Sequence, residues 1–107
     1  MAEDLGLAVR LSPEQAQAIK TAGEQVLGKG TRAVLFGSRV SGHVRGGDID
    51  LLFESPRPVP RPARAVCDLY AALVMELGEQ KIDILIKDPA TPLAPVIQQA
   101  LQTGIEL

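Results

Sequence analysis

Three short apolar runs limit how this chain can fold: RAVLF at 32–36, DIDLLFE at 48–54 and KIDILI at 81–86. Each is short for a helix and rich in residues that suit a pleated surface, so each reads as a strand. The segments around them carry apolar residues at helical spacing. Ser12 and Pro13 open the first helix, Gln15 completes a capping-box pattern, and Ile19, Ala22 and Val26 recur until Gly28 and Gly30 end it. Val66, Leu69, Tyr70, Leu73 and Leu77 trace one face of a second helix, closed by Gly78, with Cys67 beside that face as a small packing residue. Leu93, Val96, Ile97, Ala100 and Leu101 mark a third, with Gly104 as its stop and Pro95 leaving its first turn undefined.

Between the second strand and the second helix lies ESPRPVPRP. Its prolines end the strand, because proline cannot donate to a sheet and fixes its own φ. They fall at every second position and not at the PxxP spacing that signalling grooves read, so the segment is expected to be a stiff crossover. The element order is helix, strand, loop, strand, helix, strand, helix. The closing GIEL can meet a partner or tuck against the chain's own sheet, and the second is favoured.

At 107 residues the chain supports one core and is read as a single unit over 1–107. An apolar fraction of 46% with 22% charged residues excludes disordered, collagen-like and coiled-coil classes. With one Tyr, two Phe and no Trp, a base-stacking platform is hard to assemble, and a net charge of -2 opposes general polyanion binding. No direct nucleic-acid binding is therefore expected. Cys67 is the only cysteine, which removes an internal disulfide and a cysteine-based zinc site. The first residues show no basic-then-apolar leader, and no stretch approaches the roughly 20 apolar residues that cross a bilayer, so no membrane partner and a cytoplasmic location are expected.

The chemistry concentrates in FGSRVSGHVRGGDIDLLFE, residues 36–54. Side chains alternate along a strand, so Asp48 and Asp50 project from one side with Cα atoms about 7 Å apart. Asp83 interrupts a later apolar strand; if that strand lies beside theirs, its carboxylate joins them. Two carboxylates about 5 Å apart repel by roughly 3 kcal/mol at an effective dielectric near 20, so such a cluster calls for a cation. All-oxygen ligands favour Mg²⁺ or Mn²⁺ over zinc. The preceding loop supplies the complement. Gly37 lets backbone N–H groups approach an anion, the Ser38 hydroxyl can donate to a phosphate oxygen, and Arg39 or Arg45 can offset negative charge. Arg39 has a second reading as a local ion-pair partner, and His43 is a lone loop imidazole.

Gly37-Ser38, nine spacer residues, Asp48-Ile49-Asp50 and the later Asp83 resemble the signature of minimal nucleotidyltransferases of the DNA polymerase β superfamily. The likeness runs from about Thr31 to Leu107. Members commonly have Ser before the first acid, where this chain has Gly47. The resemblance implies an α+β nucleotidyltransferase fold, a small mixed β-sheet of about three to four strands with helices packed mainly on one face. It also implies transfer of a nucleoside monophosphate from an NTP, ATP by inference from the family, to a hydroxyl with release of pyrophosphate. Asp48 and Asp50 would be metal ligands, Asp83 the third ligand or general base, and Ser38 a phosphate contact.

Larger relatives carry further domains for the acceptor, so a core of this size is expected to form a homodimer or borrow that surface from another protein. Stand-alone proteins of this look often accompany a HEPN-domain toxin, with the nucleotidyltransferase as an antitoxin that can AMPylate it. Two other readings stay open: a non-catalytic antitoxin acting by occlusion, and a small-molecule enzyme resembling the aminoglycoside nucleotidyltransferases.

Overall fold

A computed structural model describes residues 11–37, 49–78 and 81–107. Helix α1 spans Pro13–Leu27 and starts as its capping box requires: Gln15 N donates to Ser12 Oγ at 3.1 Å, and Ser12 N donates to Gln15 Oε1 at 3.0 Å. Strand β1 is Arg32–Phe36, β2 is Ile49–Glu54 and β3 is Ile82–Lys87. Helix α2 spans Pro62–Leu77 and α3 spans Pro95–Thr103, each with proline in its first turn, where the missing N–H has no helical partner to lose. The chain closes with β4, Ile105–Glu106.

Hydrogen bonding orders the strands β3-β2-β1-β4. Strand β1 pairs antiparallel with β2 and β4, while β2 and β3 run parallel because the connection through α2 carries the chain back to the starting end of the sheet. The result is a mixed four-stranded sheet in an α+β fold. The GIEL ending tucks against its own sheet, with Ile105 opposite Leu35 and Leu107 N donating to Ala33 O at 2.8 Å.

Alternation along the strands divides the core. Ala33, Leu35, Ile49, Leu51, Phe53 and Ile82 point to the face that α1 and α2 cover. Val34, Leu52 and the half-buried Phe36 and Leu85 point to the other, where Ile97 and Ala100 of α3 pack on them. Two helices therefore lie on one face and the shortest on the other.

Four side chains differ from the sequence expectation. The buried stripe of α2 is Ala65, Leu69, Leu73 and Leu77, a four-residue recurrence. Tyr70 stands about 100° round the helix from Leu69 and is 45% exposed; Cys67, about 200° from Leu69, is exposed and is not a packing residue. In α3 the buried residues are Ile97 and Ala100, whereas Leu93 precedes the helix and, like Val96, is exposed.

The proline crossover is tied down at two points near its middle. The Arg57 guanidinium donates to Leu27 O at 3.0 Å and to Lys29 O, so it satisfies carbonyls at the end of α1. Two residues on, Val59 N donates to Asp88 Oδ2 at 2.7 Å. No described helix is long and apolar enough to cross a membrane.

Candidate active site

Asp50 and Asp83 are register partners on the parallel strands β2 and β3. Asp50 lies between Ile49 and Leu51, and Asp83 between Ile82 and Ile84, all of which face α1 and α2, so both acids point to the α3 face. Neighbouring strands are about 4.8 Å apart, which brings the two Cα atoms to roughly that spacing. Both acids sit at the second position of their strand, at one end of the sheet; Asp83 is exposed and Asp50 half-buried. That placement keeps the acids open at the edge of the apolar α3 face.

Strand β1 enters the same corner from the opposite direction, with Phe36 opposite Asp50. Phe36, Asp50 and Asp83 thus form one row across three strands. Phe36 is the member of this row that the Gly-Ser/Asp-x-Asp signature does not contain; its parity with Val34 along β1 is the signal for it. Gly37 follows with φ +80°, a conformation that favours glycine. A Cβ built there would lie 3.1 Å from Asp50 Cγ and overlap Oδ2, so the absent side chain is the space the Asp50 carboxylate occupies.

The structure therefore brings together Gly37, Asp50 and Asp83. Asp48, Ser38, Arg39, His43 and Arg45 lie outside the described residues. Among the described residues no group of three or more His, Cys, Asp or Glu side chains is placed to hold a metal. The described part of the motif contributes two carboxylates and neither sulfur nor imidazole. That donor set fits Mg²⁺ or Mn²⁺, which bind through one or two carboxylates with phosphate and water completing the shell.

The register that opposes Asp50 to Asp83 is held at both ends of the paired strands. Ser55 N donates to Lys87 O at 2.8 Å, and Ile49 N to Lys81 O at 3.0 Å. Just beyond β3, Asp88 accepts from Val59 N, from Ala90 N at 3.0 Å and from Thr91 Oγ1 at 2.9 Å. These bonds, led by the Val59 N–H and the Thr91 hydroxyl, hold its carboxyl below the usual aspartate range because they favour the charged form. On the α3 face, Arg32 reaches Glu54 at 3.0 Å and Glu106 at 2.8 Å, and Lys87 lies 3.7 Å from Glu54. The hydrogen bond and charge of Glu106 raise the Arg32 pKa further.

The chain matches the nucleotidyltransferase domain family over residues 16–101, from α1 into α3. No curated protein matches it.

Proposed function

The chain belongs to the nucleotidyltransferase domain family, and from that membership we propose that it transfers AMP from ATP to a hydroxyl of a partner protein, as the antitoxin of a HEPN-domain toxin. The observation that carries the reaction is the register pairing of Asp50 with Asp83 at the corner where Gly37 opens the loop. The likeness to minimal nucleotidyltransferases supports the protein acceptor and the toxin–antitoxin role.

In this reading Asp48 and Asp50 would hold Mg²⁺, with Asp83 as third ligand or general base, and the ion would supply positive charge to the triphosphate and acidify the incoming hydroxyl. Gly37 and Ser38 donate hydrogen bonds to phosphate oxygens, and Arg39 and Arg45 offset the charge that accumulates on the leaving group. The hydroxyl oxygen bonds to the α-phosphorus in line with the bond to the bridging oxygen, which breaks to release pyrophosphate. As the general base, exposed Asp83 would accept the hydroxyl proton.

Incubation of the purified chain with labelled ATP, Mg²⁺ and its HEPN-type partner is expected to label the partner, and Asp50→Asn or Asp83→Asn is expected to abolish the label. An unlabelled partner would refute the acceptor. Loss of label with neutralisation of the toxin intact would assign neutralisation to occlusion instead.

A further inference from the structure

The outer edge of β3 is built to receive another strand. Among the described residues β3 pairs only with β2, yet at six residues it is three times the length of β4 at the other edge. Lys81 O and Lys87 O accept from β2, and bonding residues alternate in a parallel ladder, so the backbone groups of Ile82, Ile84 and Ile86 point outward. The side chains are incompletely covered as well. Ile84, Leu85 and Ile86 are half-buried, whereas their β2 partners Leu51, Leu52 and Phe53 are fully buried.

The charges on this strand select an occupant. Asp83 and Lys87 share the α3 face and lie two residues either side of Leu85. An antiparallel partner of the same sequence, related by a two-fold axis at Leu85, would place each Asp83 opposite the other copy's Lys87. It would also place Ile84 opposite Ile86 and Leu85 opposite itself, and the outward N–H and C=O groups of Ile84 and Ile86 would form a hydrogen-bonded pair. Shifting by two residues about an axis at Ile84 sets Lys87 against Lys81, and shifting the other way sets Lys87 against Leu85. Charges of one sign would merely blunt an edge; opposite charges placed symmetrically about Leu85 favour a single register.

We propose that β3 pairs antiparallel with β3 of a second copy of this chain across a two-fold axis at Leu85, joining two four-stranded sheets into one. The interface is isologous, so the same strand supplies both sides. It brings Lys87 of the second copy beside the Asp50 and Asp83 corner. The pairing itself does not depend on the chemistry assigned to those acids.

Sedimentation across a dilution series tests it. Wild type is expected to dimerise. Lys87→Glu or Asp83→Lys, each giving two like-charged pairs per dimer, is expected to weaken self-association by about tenfold or more. An equimolar mixture of the two variants restores opposite charges at both positions and is expected to form the heterodimer. In a Cys67→Ser background, Leu85→Cys is expected to give a disulfide-linked dimer on mild oxidation and Ile84→Cys is not, which reads the register without altering charge. A wild type monomeric throughout, charge variants that dimerise like wild type, or crosslinking through Ile84→Cys and not Leu85→Cys would overturn the proposal.

Discussion

The Cα of Gly37 and the carboxylate of Asp50 share a space that admits no further carbon: a Cβ on Gly37 would overlap Asp50 Oδ2. Gly37→Ala is therefore expected to turn the carboxylate away and to strain a backbone at φ +80°, costing about 1 kcal/mol of stability. Nucleotidyl transfer is expected to fall much further than that cost explains, by about 10-fold to 100-fold, as when a ligand's supporting contact is lost. Comparing the thermal midpoint with the transfer rate of the same preparation separates the two effects.

Removing the charge of Asp83 tests the acid pair differently. Asp83 is exposed and faces Asp50 across the ladder, so within one chain Asp83→Asn relieves a like-charge contact and is expected to leave the Tm of the dilute monomer unchanged or slightly raised. Transfer is expected to fall by more than about 100-fold, because no amide replaces a carboxylate as ligand and proton acceptor. A falling Tm with transfer retained would assign Asp83 a structural role.

Gly104 joins α3 to β4 at φ -78°, so its backbone does not demand glycine; its surroundings do. A Cβ there would overlap Ala100 O, press on the Val34 side chain and come within 2.9 Å of Leu35 O. Gly104→Ala is expected to destabilise the fold by about 1–3 kcal/mol through overpacking, lowering Tm by about 4–8 °C per kcal/mol. A thermal melt checks this.

The strands and helices were largely legible because local signals agreed. The Ser12–Gln15 cap, the glycines after each helix and the three apolar runs mark elements whose bounds fall within a residue or two of the observed ones. The neighbourhood of Asp50 and Asp83 could be stated only conditionally, since parity puts an acid on a face but does not name the neighbouring strand. Ile105–Glu106 gives too short a signal to read as a strand; its pairing comes from β1. Tyr70 and Leu93 stand exposed for a related reason: apolar character sets a tendency to bury, while helix phase and neighbours decide which residue is covered.

Asp88 supplies a pH signature. Its carboxyl sits below the ordinary value of 3.8, so its contribution to stability is present above that value and is lost as pH falls through the lower folded-state pKa. Asp88→Asn, which cannot accept all three hydrogen bonds, is expected to lower Tm by a few degrees at neutral pH. The gap from wild type is expected to close in acid below 3.8. Melts of both proteins across that range show whether it does.

The parallel pairing of β2 with β3 also has a consequence for biosynthesis. Two strands running the same way cannot be joined by a tight hairpin, and here α2 intervenes. A nascent chain released from the ribosome before Asp83 carries half of the acid pair, however well α1, β1 and β2 have formed. Premature termination upstream of that residue therefore yields fragments that lack the assembled corner.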